Sequence, residues 1–324
     1  MNRKSAWIIS AAALIACLPI RLYQIFCLSD QGTGFYTDGG TSTWILVSVL
    51  AIGVILTVVM SLCDREAPKS YSPIRSIPLA VFGVLSGIGL VGQSFISLAA
   101  DAGRNHIMYM ILFVLGILAG VVLIFFAYDF ATGQNHFERN PLPSLFPTLW
   151  SCACLVALFL EYVAVVNIAD NIYNIITVIF LLLFFFAQAK LLSGVEREKS
   201  GRMAYVFGIP AALLCLLTGV ADTAALAGTI GRPEGTFPTG LHIVTIVFAV
   251  YILVFLAAFR RAAAKEKEVP ASQPVMDELV PPEEPMMMSQ WKNCVDLLEK
   301  EYHSEIRFRE KTESPFAAAE TDEI

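Results

Sequence analysis

Five side chains in this sequence carry polarity with which chemistry could be done: Arg21, Gln24, Gln93, Glu161 and Asp222, each set in an otherwise apolar run. Such groups are costly in lipid, so they normally face protein or water and mark binding sites, ion pairs or proton paths. Arg21 could meet an anionic or carboxylate-bearing solute, pair with Glu161 or Asp222, or reach for the lipid headgroups. It lies about 10 Å below the end of its run at a helical rise, a span that an arginine can largely cover by snorkelling.

Helical phase groups these residues. Ser10, Cys17, Arg21 and Gln24 fall on one face of the first run, Gly83, Ser86, Gln93 and Ser97 on one face of the third, and Ala211, Cys215, Thr218, Asp222 and Ala225 on one face of the seventh. Small and polar residues let membrane helices approach closely, so these faces are expected to point inward. The glycines of the third run and Gly208 with Pro210 in the seventh mark helices able to kink or unwind, as binding helices of transporters do.

Known enzyme signatures are missing. There is no HExxH, CxxC or GxSxG, and the glycines of QGTGFYTDGGT lack the Gly-Lys-Ser/Thr ending of a phosphate loop. That segment, from Asp30 to Thr43, reads as a turn-rich loop. His106, His136, His242 and His303 are scattered, and Cys152 and Cys154, two apart, point to different faces of a helix. No metal, cofactor or nucleic-acid partner is expected. An enzyme acting on lipid or cell-wall precursors would have to rely on Glu161 or Asp170.

The elements that must position these groups are apolar and long. Of 324 residues, 56% are hydrophobic and only 15% charged, with a mean hydropathy of +0.65, against about a quarter charged in soluble domains. Apolar runs recur at Ala6–Leu28, Trp44–Cys63, Ile77–Ala100, Ile107–Phe130, Leu145–Ile168, Ile172–Leu192, Met203–Ala227 and Leu241–Phe259. Each approaches the roughly 20 residues that cross a bilayer core as a helix, and none alternates as a membrane barrel strand would. The reading is an all-α protein of eight transmembrane helices in a lipid bilayer.

Basic residues orient it. With the N-terminus inside, fourteen lysines and arginines fall on inner segments, and three, Arg21 among them, on the outer side. Cytoplasmic loops accumulate such residues, so both termini are expected in the cytoplasm. Arg3 and Lys4 before an apolar core also fit a signal peptide, but the sequence after Cys17 stays apolar instead of becoming a polar tether. With no eukaryotic targeting signal or glycosylation sequon, a bacterial plasma membrane is the expected location. Weak internal similarity suggests a duplication of four helices plus four: Val81-Phe82-Gly83 against Val206-Phe207-Gly208, and Asp64-Arg65-Glu66 against Glu196-Arg197-Glu198.

The segment 1–261 carries fifteen basic and thirteen acidic residues, whereas 262–324 carries seven basic and fifteen acidic, so the net charge of −6 comes from the tail. VPASQPVMDELVPPEEP reads as an extended linker. Beyond it, Met287, Trp291, Val295, Leu298 and Tyr302 recur at helical spacing, defining a short amphipathic helix near 287–303. That helix could pack on the cytoplasmic loops or dock a cytoplasmic protein. Two functional expectations follow: a small polar or anionic solute bound or transported through an outward-facing pocket of Arg21, Gln24, Gln93, Glu161 and Asp222, or a non-catalytic sensor or assembly subunit that acts through its tail.

Overall fold

The computed structural model describes residues 5–28, 36–63, 74–100, 107–162, 168–228 and 242–268. Among these, eight helices are long and apolar enough to cross a membrane, and no strand is present. They are α1 (Ser5–Tyr23), α2 (Thr41–Cys63), α3 (Ile77–Ala100), α4 (Ile107–Thr132), α5 (Phe146–Tyr162), α6 (Ile168–Leu192), α7 (Arg197–Ala227) and α8 (His242–Glu268). The chain is therefore a multi-pass helical protein in the shape of its elements. One compact unit ends at Glu268; the second, Val269–Ile324, lies outside the described residues, and with it the amphipathic helix expected near 287–303.

Helix ends differ from the limits of the apolar runs, for local reasons. Helix α1 contains Pro19, which removes one backbone donor, and its last turn opens into a π-turn over Gln24–Leu28. Helix α2 starts at Thr41, ahead of the run at Trp44, because Asp38 caps it: its Oδ1 accepts from Gly40 N at 3.0 Å and its Oδ2 from Ser42 N at 2.7 Å. The described part of α5 ends at Tyr162, and Ile168, the last residue of the expected run, opens the described part of α6. Helices α7 and α8 extend beyond their apolar cores into charged residues, from Arg197 and to Glu268, because a helix need not end where its lipid-facing stretch does.

Successive contacts close a ring, α3 to α4, α5, α6, α7, α8 and back to α3; α1 and α2 pair with each other and lie against α7. Helix α7 is thus flanked by α1, α2, α6 and α8, and 78% of its spanning window is buried, against 28% for α1 and for α2. Its sequence suits that place. Ala204, Gly208, Ala211, Ala212, Cys215, Ala221 and Ala225 keep its surface small enough for neighbours on every side.

The tightest crossing joins α3 to α4. A Cβ on Gly87 would lie 2.6 Å from the Gly120 carbonyl oxygen, and one on Gly120 would lie 2.7 Å from that of Gly87. Backbone meets backbone there, so no side chain fits without separating the helices.

The ring is filled by aromatic residues in the half towards the α6–α7 loop. Phe184 packs edge-on against Phe255 with centroids 5.8 Å apart, Phe130 reaches Phe255 from α4 at 6.0 Å, and Phe185 meets Phe248 at 5.8 Å. Gln188 donates from Nε2 to the Tyr251 hydroxyl within this fill, and both residues are fully buried. At the same end, Asp129 accepts from His136 N at 3.0 Å and lies 2.5 Å from its Nδ1, which folds the chain back after α4.

Candidate functional site

Four of the five polar side chains singled out by sequence lie among the described residues, in three places. The first is built where α1 opens into its π-turn. Arg21 is only 3% exposed and Gln24 is fully buried. The Arg21 Nη1 donates to the Tyr36 hydroxyl at 2.7 Å and lies 3.4 Å from Gln24 Oε1, while the guanidinium carbon sits 4.7 Å from the centroid of the Tyr173 ring on α6. Stacking on an aromatic face and bonding to a phenol are what a desolvated guanidinium requires. The side chain turns into the protein instead of snorkelling towards headgroups.

Gln24 continues the network, donating from Nε2 to Ser42 Oγ at 3.1 Å. Hydrogen bonds from the Ser42 side chain and backbone, then from Gly40, hold the Asp38 carboxyl below the usual carboxylate range. Tyr36 is tied down as its neighbour Thr37 donates from its backbone N–H to the Leu28 carbonyl at 2.9 Å. Arg21, Gln24, Tyr36, Ser42 and Asp38 thus fasten the start of α2 to the end of α1. Ile25, on the same turn, packs on Ala221 and Ala225 of α7.

The second place lies inside the ring, between α5, α6, α7 and α8. Asp222 and Thr218 of α7, Asn174 and Thr177 of α6, and Thr245 of α8 line a cavity of about 30 Å³, floored by Trp150 and Phe248. That is room for about two waters, by the volume one water occupies. Thr177 and Thr218 are buried, while Asp222, Asn174 and Thr245 are partly exposed, so the cavity opens towards the α7–α8 loop.

Gln93 belongs to the third place, a cavity of about 10 Å³ between α3, α4 and α5 shared with Ser94, Ser97 and Trp150. Its Nε2 donates to Ser97 Oγ at 3.1 Å. Trp150 borders both cavities, its Nε1 turned towards α4, where a Cβ on Gly116 would lie 3.3 Å away. Glu161 is in the last turn of α5, and its side chain lies outside the described residues.

The structure thus brings Arg21 and Gln24 together and places Gln93 and Asp222 in separate cavities on either side of Trp150. Reading the sequence missed Tyr36, Ser42 and Tyr173 around Arg21, and Asn174, Thr177 and Thr245 around Asp222. One signal was available: Asn174 and Thr177 are three apart on one face of α6. Among the described residues no group of three or more histidines, cysteines, aspartates or glutamates lies together.

Set against known proteins, the chain matches no family model, no curated protein and no solved structure. What the molecule does must be argued from its own residues.

Proposed function

We propose that this protein binds or transports a small polar solute through the Asp222 cavity, in a bacterial plasma membrane with both termini cytoplasmic. The observation that carries the reading is a carboxylate grouped with three threonines and an asparagine around a cavity within a largely apolar bundle. Polar groups in lipid are expensive, and here they surround room for a guest. The excess of lysine and arginine on the α2–α3, α4–α5 and α6–α7 segments supports an opening of the cavity on the outer side.

The route onward runs along α6, α7 and α8. The faces carrying Asn174, Thr177, Leu181 and Gln188, and Asp222, Thr218, Cys215, Ala211 and Gly208, continue one below another. Phe184 and Leu256 fill the room beside Gly208, where a Cβ would come within 3.0 Å of each. Rotation of such rings out of a small-residue groove is the movement that transport would require. The aromatic fill is then the barrier that separates the cavity from the cytoplasmic end.

The experiment is a thermal-shift screen of the purified protein in lipid nanodiscs against small cations, amino acids, sugars and carboxylates. A stabilising solute whose effect is lost in Asp222→Asn and weakened in Thr218→Val is expected. If no solute gives a shift that depends on these residues, the reading falls.

A second reading has one observation in its favour. Arg21 and Gln24 are bonded within the protein, as structural glue would be. In a sensor or assembly subunit the acidic tail would carry the signal to a cytoplasmic protein. Removing 287–324 would then lose a partner while leaving every solute response intact.

A further inference from the structure

Trp150 borders both cavities and is only 4% exposed. Its ring packs on Phe248, with centroids 5.8 Å apart. Among the described residues, its indole N–H meets no acceptor. A buried tryptophan usually finds a partner for this group, because a donor taken out of water without one loses its hydration and gains nothing in return.

Close to that N–H lies an oxygen in the opposite condition. A Cβ on Gly116 would collide with Ser94 Oγ and would lie 3.3 Å from Trp150 Nε1, so the two atoms converge beside α4. Ser94 spends its hydroxyl proton on the Leu90 carbonyl at 2.8 Å. A hydroxyl has one proton to give, which leaves this oxygen only lone pairs to offer. One group can only donate and the other can only accept, and they are not bonded to each other.

We infer that the cavity beside Gln93 is a site for one bound water, which accepts from Trp150 Nε1–H and donates to Ser94 Oγ. Both residues line that cavity, whose volume of about 10 Å³ is close to the least that holds a single water and too little for two. Gln93 and Ser97 add polar atoms to its wall, and a buried water typically makes about three hydrogen bonds. No charged side chain lines the cavity, so an ion there would be uncompensated. A larger solute does not fit. The water holds the indole in one orientation and thereby fixes the partition between the two cavities. The site stands whether or not the Asp222 cavity takes a solute.

The test is water-edited solid-state NMR of the full chain in lipid bilayers, with its four tryptophans labelled by nitrogen-15 at the indole. Trp150→Phe assigns the Trp150 signal. Magnetisation should pass from water to Trp150 Nε1 in the wild type. Ser94→Ala should lower that transfer by roughly threefold or more, since the water then keeps fewer partners. The hydroxyl is bonded only to its own helix, so the variant should fold. Gly116→Ala crowds the site from α4 and should lower the transfer as well; should it fail to fold, Ser94→Ala carries the test alone. Thr218→Val, in the other cavity, should leave the transfer unchanged.

A Trp150 signal that receives nothing from water in the folded wild type means a dry N–H and overturns the site. Transfer that is lost in Thr218→Val and kept in Ser94→Ala assigns the water to the Asp222 cavity, and overturns the site as well.

Discussion

Two polar regions near the same end of the bundle differ in what surrounds them. Around Arg21, the guanidinium is stacked and hydrogen-bonded, Gln24 reaches Ser42, and Asp38 caps α2. Around Asp222, the polar atoms line a cavity among α5, α6, α7 and α8. Charge alone ranked Arg21 first as a functional residue. Room reverses that order: a buried charge whose neighbours fill its surroundings positions a loop, whereas a weaker polar set with space in front of it can receive a guest.

The largest effect should come from the scaffold on which both regions depend. Gly87→Leu forces a side chain into the Gly120 carbonyl, so folded protein should be lost from the membrane fraction, as gel filtration in detergent would report. If the helices tolerated it, neither region's geometry could be taken as fixed by packing.

Arg21→Leu should come next. It strips the Tyr36 and Gln24 bonds and the Tyr173 stack at once, with an expected loss of about 1–3 kcal/mol for a buried charged network. A lowered unfolding temperature with unchanged solute response supports the contrast; unchanged stability with a lost response inverts it. Tyr36→Phe removes a single hydrogen bond to a charged group and should cost about 1–2 kcal/mol.

Asp222→Asn should change stability by less than about 1 kcal/mol, since an isosteric amide at a partly exposed position keeps most contacts, while abolishing the response to solute. The smallest effect is on pH dependence. The folded Asp38 carboxyl titrates below its unfolded value, so its contribution is complete above the unfolded pKa, near 4, and is lost as pH falls through the folded one. The stability difference between wild type and Asp38→Asn should therefore hold steady from neutral pH down to about 5 and shrink below about 4.

The eight helices were legible because twenty apolar residues in a row have few other uses, and each expected run corresponds to one helix. Their ends were less so. The Asp38 cap and the Arg197 start of α7 lie in polar sequence that hydropathy ignores. The inward polar faces of α3 and α7 were also readable, from small and polar residues in phase. What could not be read is which faces meet. Gln93 and Asp222 lie near the C-terminal ends of helices that run in the same direction, yet the ring order puts Trp150 between them. Tyr173 and Asn174 are neighbours in sequence whose directions differ by about 100°, so one stacks on Arg21 and the other lines the cavity. Threonines and tyrosines are too ordinary in membrane helices to be noticed until neighbouring helices bring them together.

The contrast between the two regions is tested most directly by thiol labelling of Thr218→Cys and Gln24→Cys, each in a cysteine-free background, with a small charged methanethiosulfonate applied to either side of sealed vesicles. Thr218→Cys should label from the side carrying the α7–α8 loop, at least roughly tenfold faster than Gln24→Cys, because water reaches a polar cavity and not a filled network. Equal rates, or faster labelling at Gln24→Cys, would contradict the assignment of the cavity as the site and of Arg21 as its support.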